Sequence, residues 1–117
     1  MADDLLFGVH GAALEVRSRR LGLLASNIAN ASTPGFKARD IDFREAMKAA
    51  SGPRGLSDGA IDAATKYRMP LVASADGNTV ELATEQTAFA ENAVAYQTTL
   101  SFLNGRIGQI TRALRGE

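Results

Sequence analysis

The sequence predicts a mainly α-helical protein whose long N- and C-terminal helices pack as a coiled coil, with an irregular, partly extended middle segment between them. Two observations predict this class. All three prolines, Pro34, Pro53 and Pro70, fall in the middle of the 117-residue chain, so both ends lack the residue that most strongly breaks helices. The two ends are also rich in alanine and leucine, and their apolar residues recur with helical spacing.

These observations divide the chain into three parts. Residues 1–35 are predicted to form the N-terminal helix and its closing turn, residues 36–80 a flexible middle segment with a short strand or helix, and residues 81–117 the C-terminal helix. The middle is predicted to be flexible in the isolated chain because positions 48–79 hold few large apolar residues to bury.

The first helix carries two apolar rows with helical spacing. They consist of Leu5, Val9, Ala12 and Val16, and of Leu14, Leu21, Leu24, Ile28 and Ala31. The helix should end near Asn30, because asparagine tolerates left-handed backbone geometry and Pro34 forces Thr33 toward extended conformations. Pro34 and Gly35 suit the two central positions of a type II turn, in which glycine supplies the positive φ.

The second helix carries the most regular pattern in the chain. Its apolar residues alternate in steps of four and three through Phe89, Ala93, Tyr96, Leu100, Leu103, Ile107, Ile110 and Leu114. A repeat of 3.5 residues is typical of a coiled-coil seam. Acidic residues near the start of this helix and arginines near its end complement the helix dipole. The seam predicts packing against the first helix, against other subunits, or against both.

Composition narrows the function classes. The chain has 13 basic and 13 acidic side chains, and a net charge of zero argues against a nucleic-acid-binding protein. One histidine and no cysteine exclude a histidine-based triad, a multi-histidine metal site and a thiolate zinc site. We therefore expect no enzyme activity, no cofactor and no metal. A small enzyme that uses Asp40 and Asp42 is a weak alternative, since alternate strand residues point to opposite faces.

The start of the chain shows no export signal. It is acidic at Asp3 and Asp4, whereas a secretory signal begins with basic residues and continues into an apolar run. No apolar stretch approaches the ~20 residues that span a bilayer. If the protein leaves the cytoplasm, we expect another route to carry it.

One segment is distinctive enough to indicate a family. Residues 24–37 read LASNIANASTPGFK, which closely resembles the N-terminal signature of the axial proteins of the bacterial flagellum, namely the rod, hook and hook-associated proteins. The residues taken as an assembly motif are Leu24, Asn27, Ile28, Asn30, Thr33, Pro34, Gly35 and Phe36. Three segments of the second half narrow the resemblance to the proximal rod proteins: DGNTVEL at 76–82, ENAVAYQ at 91–97 and FLNGRI at 102–107. The short length of the chain also resembles that of the proximal rod proteins.

The resemblance implies a structural role. Proximal rod proteins belong to the periplasmic rod of the basal body, which transmits torque from the MS-ring to the distal rod and hook, and their terminal helices line a helical tube. They are exported through the flagellar type III apparatus without a cleaved signal peptide. The implied partners are further copies of the chain, the rod protein FlgC, FliE and the MS-ring protein FliF, with no nucleic acid and no membrane insertion. A non-polymerising helical adaptor or export chaperone of the flagellar system, or another rod protein, are the alternatives.

Single residues of the motif allow more than one role. Asn27 is expected either to form hydrogen bonds across a subunit interface or to face solvent. Asn30 is expected to cap the first helix. Residues 34–36 are expected mainly to form the turn, while offering a contact to the next subunit.

A small basic cluster lies upstream of the motif. It consists of Arg17, Arg19 and Arg20. Such a cluster is more often a solvated face than a binding patch. Pairing with acids of a neighbouring subunit, such as Glu85 or Glu91, is the alternative.

Overall fold

The computed structural model describes residues 7–116, and the molecule is elongated, with principal extents of 64 × 28 × 18 Å. The elements follow in the order α1 (Gly8–Ala29), β1 (Arg39–Ile41), α2 (Phe43–Ala50), α3 (Asp58–Ala64), β2 (Thr65–Tyr67) and α4 (Leu82–Arg115). The prediction of a mainly helical protein with two long terminal helices and an irregular middle is confirmed.

The two long helices pack side by side in opposite directions. Asn92 donates a hydrogen bond from Nδ2 to the carbonyl of Arg17 at 2.9 Å. Nearer the start of α1, the rings of His10 and Phe102 stack with their centroids 5.5 Å apart. Since α4 has 34 residues and α1 has 22, the C-terminal part of α4 extends beyond Gly8, the first residue of α1.

The first long helix ends where the sequence predicts, but not with the predicted backbone. Asn30 follows α1 with φ −105° and ψ 19°, and its Nδ2 donates to the carbonyl of Ser26 at 2.8 Å. Its N–H is shared between the carbonyls of Ser26 and Asn27, at 3.1 and 3.2 Å, which tightens the last turn. The capping role of Asn30 is confirmed. The left-handed conformation is wrong, because this tightened turn satisfies the N–H group without a positive φ.

The middle segment contains a small sheet. β1 and β2 pair in antiparallel register, with Arg39 opposite Tyr67 and Ile41 opposite Thr65. This pairing brings the chain after α3 back beside the chain that leaves the end of α1. The flexibility of residues 36–80 in the isolated chain stays a prediction.

Both short helices of the middle segment have side-chain caps. The carboxylate of Asp42 accepts a hydrogen bond from the N–H of Glu45 at the start of α2, at 3.1 Å. The hydroxyl of Ser57 accepts one from the N–H of Ala60 at the start of α3, also at 3.1 Å. These caps satisfy N–H groups that have no partner inside a helix, so each short helix has a defined start.

A small apolar core lies between α1 and the elements of the middle segment. Its buried members are Val16, Ile41, Ala46, Ile61 and Ala64. Two of these five are alanines, whose small side chains gave no strong apolar signal in the sequence. This core holds the middle segment against α1 and so positions the chain that leads to α4.

Candidate assembly interface

The closing turn of the assembly motif has the predicted geometry. The N–H of Phe36 donates to the carbonyl of Thr33 at 3.2 Å, which places Pro34 and Gly35 at the centre of a β-turn. Gly35 has φ +73°, the positive value that a type II turn requires at this position. Residues 32–35 are exposed and Phe36 is half-buried, so the turn forms a surface at one end of the molecule.

The buried amide of Asn78 holds this turn in place. Its Nδ2 donates to the carbonyls of Asn30, Ala31 and Thr33 at 2.9, 3.1 and 2.8 Å. Its Oδ1 accepts from the N–H of Val80 at 2.7 Å. These carbonyls belong to the turn that follows α1, and Asn78 binds them from the chain that enters α4. The sequence analysis used residues 76–82 only for the family resemblance and missed this role.

The remaining motif residues lie inside the subunit or at its margin. Leu24 and Asn27 are buried, whereas Ile28 and Asn30 are half-buried. The motif is therefore divided, with its helical part directed into the helix pair and its turn directed outward. Neither role considered for Asn27 is correct for this subunit, since its amide is neither solvated nor exposed for contact with another chain.

Asn27 belongs to a buried polar cluster that joins α1, β1, α4 and the chain after β2. Its members are Arg20, Asn27, Asp40, Arg68 and Glu85. The carboxylate of Glu85 is fully buried, and it accepts from Arg68 Nε at 2.7 Å and from Asn27 Nδ2 at 2.9 Å. Arg20 binds both oxygens of Asp40, through Nε at 2.7 Å and Nη2 at 2.9 Å. Arg68 Nη2 also donates to Asp40, at 2.8 Å, and so links the two carboxylates.

The cluster is electrostatically balanced, with two guanidinium groups and two carboxylates. Burial alone would raise the pKa of Asp40. The hydrogen bonds and charge of Arg20, the N–H of Ile41 and the charge of Arg68 outweigh that effect and hold the pKa of Asp40 below its usual value. The hydrogen bond from Arg20 to Asp40 in turn raises the pKa of Arg20. The cluster thus favours the charged form of both groups.

The basic cluster of α1 has contacts within the subunit, and only Arg19 keeps the exposed position expected of a solvated face, whereas Arg17 and Arg20 are half-buried. Arg20 binds Asp40, as described, and Arg19 forms an ion pair with Asp58 at the start of α3. The guanidinium carbon of Arg17 lies 4.2 Å from the centroid of the Phe43 ring. Local spacing identified these arginines as a group but could not identify partners that come from the middle segment.

The carboxylates of the enzyme alternative have structural roles. Asp40 is held by two arginines, and Asp42 caps α2. The two groups therefore do not converge on a common site.

The predicted seam of α4 is divided between two surfaces. The buried residues of α4 are Glu85, Asn92, Thr99 and Leu103, of which only Leu103 belongs to the seam. Ala93, Tyr96, Leu100 and Ile110 are half-buried, whereas Phe89, Ile107 and Leu114 are exposed. At 100° per residue the centre of the apolar row lies roughly 45° around α4 from the buried residues. The row therefore flanks the contact with α1, and much of it remains open.

A second exposed apolar group begins at the last residue of β2 and was missed by the sequence patterns. Tyr67, Met69, Leu71 and Val72 are all strongly exposed. They lie beside the start of α4, since the N–H of Leu71 donates to Glu81 at 3.3 Å. The molecule thus exposes apolar side chains near the start of α4 and again at its C-terminal end.

The segment that forms α1 and the closing turn matches a known family. Over residues 7–37 the chain matches the family described as "Flagella basal body rod protein". This match covers α1 and the closing turn and indicates a class of proteins, the rod proteins of the flagellar basal body.

Relatives that align over nearly the whole chain define the family within that class. The flagellar basal body rod protein FlgB of Aeromonas hydrophila is 43% identical, with 97% of this chain and 96% of that protein aligned. The protein of the same name from Cereibacter sphaeroides is 48% identical over 94% of both chains, and that from Escherichia coli K12 is 38% identical over 88% of both. The chain belongs to the FlgB family of flagellar basal body rod proteins.

Family membership establishes the general function. The protein is a structural component of the flagellar basal body, where it associates with other rod and basal-body components. The family is not one of enzymes, so the weak carboxylate alternative is set aside. Among residues 7–116, the structure has no helix with both the length and the apolar character needed to cross a membrane.

Proposed function

We propose that the chain is a subunit of the proximal rod and assembles through its terminal helices into a helical tube that transmits torque from the MS-ring to the distal rod and hook. The observation that carries this proposal is the exposed part of the apolar row of α4, at Phe89, Ile107 and Leu114. A helix face with large exposed apolar side chains is typical of a surface that another protein covers.

The buried polar cluster supports the same proposal. It joins the two long helices and the middle segment by hydrogen bonds within one subunit. The exposed apolar row is therefore available for contacts between subunits. A contact that joins different surfaces of neighbouring subunits, repeated around an axis, produces a ring or a helical tube.

The exposed turn of the assembly motif provides a second contact surface in this proposal. Thr33, Pro34 and Gly35 contact the next subunit, with Phe36 at the margin of that contact. The buried residues Leu24 and Asn27 act from inside, because they hold the helix that positions the turn. Ile28 and Asn30 connect the buried helical part of the motif with its exposed turn. Support comes from the exposure of residues 32–35 and from the amide of Asn78, which fixes the turn.

The partners in this proposal are further copies of the chain, FlgC, FliE and FliF. The location is the periplasmic part of the basal body, reached through the flagellar type III export apparatus without a cleaved signal peptide. Family membership supports contact with basal-body components, and the resemblance of residues 24–37 to the axial proteins supports the named neighbours and the export route.

A single charge in the apolar row tests the assembly role. Cells whose only copy carries Ile107→Glu should lose motility, and the protein should no longer cofractionate with basal bodies, because the carboxylate would have to be buried between subunits. Gln109→Glu is the matched control, since it adds the same charge about 200° around the helix and should leave both measurements unchanged. Circular dichroism of each purified variant should show the helix content of the unaltered chain.

Truncation and the alternatives give a second set of outcomes. A chain that ends at Asn104 lacks Ile107, Ile110 and Leu114 and should also fail to assemble. Normal motility with this chain or with Ile107→Glu contradicts the proposal. A small, stable oligomer that never cofractionates with basal bodies would instead support the adaptor or chaperone alternative.

A further inference from the structure

An apolar groove lies between α1, α2 and α4. Large and small apolar side chains from the three helices line it, among them Ala13, Phe43, Met47 and Phe102. Its volume is about 520 Å³. Clefts of about 300–1,000 Å³ hold sizeable ligands, so the groove has room for side chains of another segment. Phe102 is 61% exposed at its rim, although its ring stacks on that of His10.

Within residues 7–116, Arg17 leaves one hydrogen-bond donor unpaired at this groove. Its side chain lines the groove beside the ring of Phe43, and its buried Nε has no hydrogen-bond partner among these residues. Burial and the charge of Arg20 lower the pKa of Arg17, because both disfavour the protonated form. A buried polar group without a partner costs free energy, so the groove favours an occupant that brings an acceptor. A carboxylate would supply the acceptor and also pair with the charge.

The exposed loop 69–72 has the complementary properties. Its three large apolar side chains are 76–88% exposed, namely Met69, Leu71 and Val72. The carboxylate of Glu81 lies at this loop, since one of its oxygens accepts from the N–H of Leu71 at 3.3 Å. Residues 69–81 include two acidic residues and no basic one. The loop thus presents apolar side chains beside a carboxylate, and contiguous apolar side chains at a surface mark a site of contact.

We propose that the loop 69–72 of one subunit docks into the groove of a second copy of the chain, with the carboxylate of Glu81 pairing with Arg17. The apolar side chains of the loop supply the contact area, and the ion pair sets the orientation. This inference rests on the proposed function, because it assigns one of the contacts by which copies of the chain assemble.

The loop is remote from the groove of its own subunit. Glu81 immediately precedes α4, whereas the part of α4 that lines the groove begins at Ala95. These positions are separated by about 21 Å along the helix. The loop and the groove are therefore different surfaces of one molecule. A contact between different surfaces, repeated from copy to copy, produces a ring or a helical tube, which is the geometry that the proposed rod requires.

Photo-crosslinking in assembled basal bodies tests the docking. Leu71 is replaced by p-benzoylphenylalanine in the full chain, and basal bodies are purified from irradiated cells. The products are separated by size, and the crosslinked peptides are identified by mass spectrometry. We expect a product with the mass of two chains, in which position 71 is joined to residues 43–47 or 95–102 of the second copy.

Reversing the two charges tests the ion pair. In the crosslinking chain, Arg17→Glu alone and Glu81→Arg alone should each lower the crosslinked fraction at least ~fivefold, and the double variant should recover it to within ~twofold of the original. Arg54→Glu, at an exposed position on the loop between α2 and α3, is the matched control and should lower the fraction less than ~twofold. Circular dichroism of each variant should show the helix content of the unaltered chain.

Several results would overturn the docking. A crosslink from position 71 to its own subunit, to another part of a second copy or to a different protein assigns the loop to another occupant. The lack of any crosslink, with the chain present in purified basal bodies, excludes the contact. Equal losses in Arg17→Glu and Arg54→Glu, or no recovery in the double variant, remove the ion pair. If the unaltered chain is absent from purified basal bodies, the proposed rod function itself fails, and this result is distinct from the others.

Discussion

The two ends of the helix pair are stabilised in different ways. Where α1 closes and α4 begins, buried polar groups are paired within the subunit, through Asn78 at the turn and through the Arg68–Glu85 contact. At the other end, α4 extends past α1 and its apolar side chains are exposed. The difference indicates that paired polar groups maintain the shape of the subunit at one end, whereas large apolar side chains of α4 stay exposed at the other.

The largest effect on stability should come from Glu85. Glu85→Ala leaves Arg68 and Asn27 without their buried acceptor, and breaking a buried ion pair from one side costs about 3–5 kcal/mol. The free energy of unfolding in urea measures this loss. Glu85→Gln retains an acceptor oxygen and should cost less. Glu91→Ala, exposed on the same helix, should change stability by less than about 0.5 kcal/mol, and equal losses at the two sites would contradict the contrast between buried and exposed positions.

Asn78 should show a smaller effect of the same kind. Asn78→Ala removes the donor for the carbonyls that follow α1 and the acceptor for the N–H of Val80, with an expected cost of about 1–3 kcal/mol. Asn104→Ala, at an exposed position in the C-terminal part of α4, is the matched control and should cost no more than about 0.5 kcal/mol. Hydrogen exchange at the Val80 amide should become faster in Asn78→Ala alone. Unchanged protection at this amide would show that Asn78 does not hold the turn.

The smallest of the three effects should be the contribution of Asp40 to the pH dependence of stability. Its pKa is lower in the folded chain than in the unfolded chain, because the hydrogen bonds and charges of its partners outweigh its burial. Its contribution is therefore present above the ordinary aspartate pKa of about 3.9 and is lost as the pH falls through the folded value. The free energy of unfolding, measured between about pH 5 and pH 2, should fall less steeply in Asp40→Asn. Equal slopes would mean that Asp40 gains nothing from its partners.

The sequence predicted those parts of the fold that depend on residues close together in the chain. Helical spacing and the positions of the prolines locate α1 and α4, and Pro34 and Gly35 determine the closing turn. The polar contacts that hold the middle segment join distant residues. Asn78 binds Asn30 from 48 positions away, and no local pattern identifies such a pair.

The candidate interface was predicted only in part, for a related reason. The apolar spacing of α4 identified the row but not the direction in which it faces. That direction depends on Glu85 and Asn92, polar residues that are buried because α1 and the chain after β2 supply their partners. A hydrophobic period gives such residues no weight, so the pattern left open whether the row packs against α1, against other subunits or against both.

The charge balance of the polar cluster has a consequence in concentrated salt. Dissolved ions weaken the attraction between exposed charges over a Debye length, which shortens to about 3 Å at 1 M salt, but they weaken buried pairs much less. Since Glu85 is fully buried and the two guanidinium groups balance the two carboxylates, the helix pair should resist high ionic strength. Concentrated salt should therefore screen the exposed charges of the subunit and leave its fold intact.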